Sequence, residues 1–330
     1  MSLPIEFGRG KRMVRTDDRP VAFVLGGGGL LGMHQTGMLS ALHEAGITPD
    51  VVVGVSSGAL QGVIWAAEPS AQGLIASRCF WHDFCECGIL HRSRAERVVS
   101  MTNRWLRART SRRLRALVER HLPAEGFEDL RIPFHCLATS ADHGTEQWFS
   151  RGRLVPAISA SIAVPALMEP VRIDGENLVD GGLVNSVPIQ RAVHLGARTI
   201  YVLPTIAHPS SGALTDRQDW RLPFTLADIL QRHQYVTALG SVPGDVAVHV
   251  LPMGKGLRIG RGLAQQFMIL SGEDGVRRVE VSIMQSHLAA RGYLREHGLG
   301  SWAGPGPKRP ARPAPRTASS APEPSRDGVR

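Results

Sequence analysis

Short β-branched runs alternate with helical patterns through most of this chain, and this alternation restricts the fold more than any other feature. The run Val21–Leu25 precedes a helical pattern at 33–45, and the run 51–53 precedes one at 59–67. A later run occupies Thr199–Leu203. Strands that alternate with helices form a parallel sheet covered by helices. The sequence therefore predicts an α/β domain.

The two ends of the chain differ in composition from this middle region. Residues 303–330 contain seven prolines among Gly, Ala, Ser and Arg, and such a segment buries too little apolar surface to fold. Residues 1–19 carry five basic and three acidic side chains. We expect a basic N-terminal extension at 1–19, one α/β domain at 20–302 and a disordered Pro/Arg-rich tail at 303–330.

Neither a membrane span nor a bound cofactor is expected from the sequence. No apolar run approaches the roughly 20 residues of a spanning helix, and the first 20 residues lack an apolar signal region. We therefore expect a cytoplasmic protein. No His, Cys, Asp or Glu group has convincing metal-ligand spacing, so we expect no metal and no cofactor. The four cysteines are too few for a disulfide framework in a chain of 330 residues: Cys79, Cys85, Cys87 and Cys136.

Much of the net charge of +9 lies in the segment 91–122, which holds ten arginines against Glu96 and Glu119. Apolar residues, including Trp105 and Leu114, are interspersed among these arginines. A helix with arginines around an apolar side suits an anionic membrane surface, which would make the protein peripherally membrane-associated. A solvated helix pair that covers the functional site is an equally good interpretation. No nucleic acid partner is expected, because no recognition motif accompanies the charge.

A glycine-rich loop at 26–32 follows the first predicted strand and precedes the first helix. Such a loop exposes backbone N–H groups that can bind an anion or a developing oxyanion. The spacing of Gly27, Gly29 and Gly32 also fits a dinucleotide fingerprint, and the loop can equally be a structural turn. The dinucleotide interpretation requires an acidic residue at the end of the second strand, but that strand ends at Gly54.

The second predicted strand leads into the pattern Gly54-x-Ser56-x-Gly58, with a new helix behind it. Glycines on both sides of a serine relieve the crowding of a sharp strand-to-helix turn, which pushes the serine outward. Ser56 is therefore a candidate nucleophile. The alternative is a turn of small residues in which Ser56 only caps the helix.

A candidate base for this serine lies in Asp180-Gly181-Gly182, where an apolar run ends in a tight turn. Asp180 would project from a rigid strand end, although an Asp-Gly pair can also serve only as a turn. A Ser-His-Asp hydrolase is the chief enzymatic alternative, since its histidine follows the acid in the chain. Four histidines satisfy that order: His194, His208, His233 and His249.

Taken together, these motifs resemble the patatin-like phospholipase family. The glycine loop, the G-x-S-x-G pattern and a D-G-G about 125 residues later occur in the family's order. The segment 160–165, which contains Ser161 and Pro165, looks like the one that the family places upstream of its aspartate. The resemblance covers roughly 21–203. It implies a three-layer α/β/α fold with a mainly parallel central sheet.

The resemblance also implies an activity and the residues that perform it. The chain would be a lipid acyl hydrolase of the phospholipase A or lysophospholipase/esterase type, a serine carboxylic-ester hydrolase. Ser56 would be the nucleophile, Asp180 the proton acceptor, and the amides of Gly27, Gly28 and Gly29 the oxyanion hole.

One position departs from the family pattern. The family carries Arg or Lys immediately before the last glycine of the loop, and this chain has Leu31 there. A catalytically impaired module that binds lipid or protein is therefore the alternative function.

Overall fold

The computed structural model describes residues 20–87, 104–122, 124–165, 167–205, 222–254 and 272–302. The predicted extension at 1–19, the predicted tail at 303–330 and the first part of the arginine-rich segment, 91–103, lie outside the described residues.

A mixed, mostly parallel β-sheet forms the centre of the protein. Its strands run in the order β5-β6-β3-β2-β1-β7-β8, and β4 pairs with β3 beside this path. The pairs β1–β2, β1–β7, β2–β3 and β7–β8 are parallel, whereas β3–β4, β3–β6 and β5–β6 are antiparallel. The strands are β1 Val21–Leu25, β2 Val51–Val55, β3 Phe134–Ser140, β4 Glu146–Phe149, β5 Val171–Ile173, β6 Glu176–Asp180, β7 Thr199–Leu203 and β8 Ala247–Val250.

Helices cover both faces of the sheet. The described helices are α1 Met33–Glu44, α2 Ser57–Ala67, α3 Ala71–Glu86, α4 Arg104–His121, α5 Leu154–Ser161, α6 Ile189–His194, α7 Leu222–Gly240 and α8 Gly272–Glu296. Helices α1 to α5 and α8 share one apolar cluster with one face of the sheet. Helices α6 and α7 pack against the opposite face.

The central strands are buried on both faces, which explains their nearly continuous apolar sequences. In β1, Phe23 and Leu25 point into the larger cluster, while Ala22 and Val24 point into the smaller one. The α/β/α architecture predicted from the sequence is therefore confirmed.

The boundary between β2 and α2 is sharper than the sequence predicted. The predicted β-branched run ended at Val53 and the predicted helical pattern began at Ala59, whereas β2 extends to Val55 and α2 begins at Ser57. The extension arises because Gly54 stays in the sheet, paired with residues on both neighbouring strands. Only Ser56 is left between the two elements.

Candidate active site

Ser56 occupies a sharp turn between β2 and α2. Its φ of 54° and ψ of −125° are an unusual backbone conformation for a residue other than glycine. The flanking glycines allow the close approach that this turn needs. A Cβ on Gly54 would lie 2.5 Å from the carbonyl oxygen of Gly58, and one on Gly58 would lie 2.2 Å from that of Leu25. This strand–serine–helix geometry is that of a nucleophile elbow.

The sheet register brings Asp180 to this serine. Some residues of β3 pair with both β4 and β2, and others pair with both β4 and β6. β4 therefore occupies one edge of β3, and β2 and β6 both lie along the other edge. Along that edge Val55 pairs with Leu137, and Asp180 pairs with the next residue, Ala138. The end of β6 therefore meets the end of β2 at Ser56.

The side chains of Ser56 and Asp180 form a direct hydrogen bond. The hydroxyl of Ser56 donates to Oδ2 of Asp180 at 2.6 Å, and each residue is 6% exposed. The other carboxylate oxygen accepts the amide N–H of Gly182 at 2.7 Å. The backbone of Asp180 is also held, since its N–H donates to Ala163 and its carbonyl accepts the hydroxyl of Thr139.

Burial raises the pKa of Asp180 to about 6. The hydrogen bonds from Ser56 and Gly182 lower it, but the loss of hydration is the larger effect. A carboxylate with this pKa is a stronger base than an exposed one and is still ionised at neutral pH. The environment therefore suits proton acceptance from the serine.

The glycine loop lies against Ser56, but its three predicted donors are not equivalent. The N–H of Gly27 donates to the carbonyl of Ser186 at 2.9 Å, so it is already engaged. Within the described part of the chain, the amides of Gly28 and Gly29 donate no hydrogen bond. The amides of Gly28 and Gly29 remain candidates for the predicted oxyanion hole, and that role stays a prediction. A Cβ on Gly28 would lie 2.1 Å from the hydroxyl oxygen of Thr205, so a larger residue would displace the loop.

Two buried polar side chains that sequence reasoning missed hold this loop. Nε2 of Gln35 donates to the carbonyls of Gly26 and Leu203 at 2.8 and 2.9 Å. The hydroxyl of Thr205 donates to the carbonyl of Gly27. These bonds tie the loop to α1 on one side and to the end of β7 on the other. In the sequence, the only sign of this role was the polar side chain of Gln35 within the helical pattern of α1.

Ser161 supports the nucleophile turn from α5. Its hydroxyl accepts the N–H of Ser56 at 2.9 Å and donates to the carbonyl of Leu137 at 2.6 Å. The family resemblance pointed to the segment around Ser161 without assigning it a role. The structure connects this segment directly to the backbone of the candidate nucleophile.

The remaining motif glycines lie at close contacts near the two site residues. A Cβ on Gly32 would lie 2.7 Å from Cβ of Ser57, and one on Gly181 would lie 2.3 Å from the carbonyl oxygen of Leu137. Leu31 is half-buried and packs against the larger apolar cluster. Apolar packing thus holds the loop at the position where the family carries a charged residue.

The histidines that could complete a triad do not join this pair in the described structure. No described histidine donates to or accepts from the side chains of Ser56 or Asp180, whose hydrogen bond is direct. His249 stacks on Tyr201 at a ring distance of 5.1 Å, and His233 is exposed on α7. His208 lies outside the described residues.

The described part of the arginine-rich segment forms helix α4. Leu114, Leu117 and Val118 are buried in the larger cluster, so the apolar side of this helix faces the core. The expectation that Leu114 contacts a membrane is therefore wrong. Trp105 is 61% exposed and lies 5.7 Å from the guanidinium of Arg109. The exposed side of the helix also carries four further arginines: Arg112, Arg113, Arg115 and Arg120.

The described residues contain neither a candidate membrane span nor a candidate metal cluster. No described helix is both long and apolar enough to cross a membrane. No group of three or more His, Cys, Asp or Glu side chains within the described ranges could hold a metal ion.

The family model for patatin-like phospholipase matches residues 23–193, a range that includes the glycine loop, the nucleophile turn and Asp180. The chain belongs to the patatin-like phospholipase family.

Individual relatives are similar over part of their length. Neuropathy target esterase sws of Drosophila melanogaster is 29% identical over 238 residues, which cover 66% of this chain and 16% of the fly protein. The human patatin-like phospholipase domain-containing protein 6 is 29% identical over 56% of this chain and 13% of its own length. The chain thus matches about a sixth or less of these relatives.

One solved structure that resembles this chain is human GIVD cytosolic phospholipase A2 in complex with methyl gamma-linolenyl fluorophosphonate and terbium chloride. It has a TM-score of 0.47 and 13% sequence identity, and the match covers 86% of this chain and 60% of that one.

The buried carboxylate of Asp180 should make the free energy of unfolding depend on pH. Because the folded-state pKa of about 6 exceeds the ordinary 3.8, ionisation of Asp180 destabilises the fold above pH 6 by about 3 kcal/mol. That penalty is absent below pH 3.8, where the carboxyl is protonated in both states. Asp180→Asn should therefore raise the free energy of unfolding at pH 8 and change it little at pH 4, as measured by urea denaturation. Equal effects at both pH values would contradict the assigned environment.

Proposed function

We propose that this protein hydrolyses carboxylic esters of lipids with Ser56 as nucleophile and Asp180 as the proton acceptor. The observation that carries the proposal is the 2.6 Å hydrogen bond between the two side chains at a strained strand-to-helix turn. A serine hydroxyl is a weak nucleophile unless a base takes its proton, and here the base is in contact with it.

In the proposed reaction Asp180 accepts the hydroxyl proton as Oγ of Ser56 attacks the ester carbonyl. The amides of Gly28 and Gly29 stabilise the negative charge that develops on the carbonyl oxygen. Collapse of the tetrahedral intermediate expels the alcohol, which takes the proton from Asp180, and leaves an acyl group on Ser56. A water molecule then gives a proton to Asp180 and attacks the acyl-enzyme, which releases the fatty acid and restores both residues.

The surface next to the dyad supports a lipid substrate. Leu183, three residues after Asp180, is 51% exposed, and Leu230 on α7 is 58% exposed. Gln231, the neighbour of Leu230, faces Gly182 in the turn that holds the carboxylate. Helix α7 exposes Ile229 and Val236 as well. Exposed apolar side chains concentrated beside a catalytic site suit contact with acyl chains.

Helix α4 supports peripheral attachment to a lipid surface. The start of α5 is held next to the segment that follows α4, since the N–H of Leu154 donates to the carbonyl of Glu125 at 2.9 Å. Past the other end of α5, the backbone N–H of Glu169 donates to the hydroxyl of Ser111, in the first half of α4, at 3.0 Å. That half of α4 therefore lies toward Ser161, which contacts Ser56. We propose that its exposed arginines and Trp105 bind an anionic lipid surface.

The role of Ser56 as nucleophile can be tested by comparison with the adjacent serine, Ser57. Ser56→Ala should abolish hydrolysis of a p-nitrophenyl ester, because it removes the attacking oxygen. Ser57→Ala is the matched control, since Ser57 is equally buried and its hydroxyl has no described partner. It should retain most of the activity. Full turnover by a folded Ser56→Ala variant would rule out this mechanism.

The apolar surface should affect long-chain substrates selectively. Leu183→Asp and Leu230→Asp should lower the turnover of long-chain phospholipid vesicles about tenfold or more, because each places a charge where acyl chains would lie. Hydrolysis of a soluble acetyl ester should change little. Leu288→Asp on α8 alters a side chain of similar exposure, 56%, and should leave both rates unchanged. Equal losses in all three variants would argue against an acyl-chain surface.

The arginines of α4 should govern attachment to anionic vesicles. Three exposed arginines near such a surface contribute about 1 kcal/mol each, so changing Arg109, Arg112 and Arg113 to Gln should weaken binding about 100-fold at low salt. A control with the same net charge changes three exposed arginines elsewhere to Gln: Arg151, Arg153 and Arg172. Cosedimentation with phosphatidylserine vesicles measures both. Similar binding by the two triple variants would show that α4 is not the lipid-binding face.

A further inference from the structure

Helix α7 meets the turn after Asp180 through hydrogen bonds, and one side chain of this helix makes two of them. Oε1 of Gln234 accepts the N–H of Ser186 at 3.1 Å, and its Nε2 donates to the carbonyl of Leu183 at 3.0 Å. Gln234 therefore spans the chain segment that follows the carboxylate.

Both residues that Gln234 contacts connect to the proposed chemistry. Leu183 ends the short turn Gly181–Leu183, whose Gly182 N–H holds the carboxylate of Asp180 at 2.7 Å. Ser186 is fully buried, and its carbonyl accepts the N–H of Gly27 in the glycine loop at 2.9 Å. Gln234 thus connects the turn that holds the carboxylate of Asp180 with the residue that holds the glycine loop.

An amide side chain suits this position because it donates from one atom and accepts at the other. A glutamate could accept from Ser186 but could not donate to Leu183 when ionised. Helix α7 also has anchors that do not involve this turn. Tyr235 is fully buried in the smaller apolar cluster, and Gln190 on α6 donates to the carbonyl of Ala238 at 3.3 Å.

We propose that Gln234 is a positioning residue that sets the distance between Asp180 and the glycine loop and thereby the rate of the acyl-transfer step. This inference rests on the proposed function. Gln234 touches neither the dyad nor the glycine loop and acts through Leu183 and Ser186. Its loss lets the Asp180 turn and the loop move relative to each other, and displacements near 1 Å at an active site can cost about 100-fold in rate.

The test compares Gln234→Ala with Gln190→Ala, which also removes one side-chain anchor of α7 but leaves the Asp180 turn untouched. Gln234→Ala should lower kcat for a soluble p-nitrophenyl ester by about 10- to 100-fold with KM nearly unchanged. Gln190→Ala should keep the kcat of the wild type. Gln234→Glu, which keeps an acceptor for Ser186, should lie between the wild type and Gln234→Ala and provides a second variant if alanine impairs folding.

Thermal unfolding and the pH profile separate positioning from general loosening. If the two alanine variants lose Tm and kcat in parallel, α7 acts only as a structural support and the inference is wrong. Because the Gly182 hydrogen bond lowers the pKa of Asp180, Gln234→Ala should move the acid limb of the kcat profile to higher pH, and Gln190→Ala should not. An active wild type whose Gln234→Ala variant keeps its kcat and pH profile overturns this inference alone. A wild type without esterase activity overturns the proposed function as well.

Discussion

The candidate site depends on one edge of strand β3 that is shared by two other strands. β2 runs parallel to β3 as far as Val55, and β6 then pairs with β3 in the opposite direction, starting from Asp180. Two strand ends therefore meet, and each presents a polar side chain at the junction. The sharp turn at Ser56 and the close glycine contacts at Gly54 and Gly58 fit the chain into this narrow space. Moving either strand by one residue would separate the pair.

Burial of this junction destabilises the ionised carboxylate of Asp180 and also gives it the proton affinity that the proposed reaction needs. Removing the carboxylate of Asp180 from water raises its pKa to about 6, and the fold compensates only in part with hydrogen bonds from Ser56 and Gly182. The same loss of hydration leaves an ionised carboxylate that accepts a proton more readily. In the proposed reaction, the backbone amides of Gly28 and Gly29 stabilise the negative charge that passes from the carboxylate to a substrate oxygen.

The sequence was most informative where local geometry demands particular residues. Glycines around Ser56 and after Asp180 predicted two turns, and their order predicted the family, which the family model confirmed. Contacts between distant segments could not be read in the same way. Ser161 reaches Ser56 across 105 residues, and the N–H of Gly27 is engaged by a carbonyl of the Asp180 segment. The buried side of α4 was also missed, because arginines surround Leu114 in sequence while the helix turns it inward.

Covalent labelling with a fluorophosphonate tests the central claim most directly, because the reagent reacts with an activated serine. A Ser56–Asp180 dyad should give one adduct per chain, located on Ser56 by peptide mass spectrometry. Its rate of formation should rise with pH along a titration curve centred near pH 6, as Asp180 ionises. An adduct on another residue, or a labelling rate that is unchanged in the Asp180→Asn variant, would contradict the Ser56–Asp180 dyad.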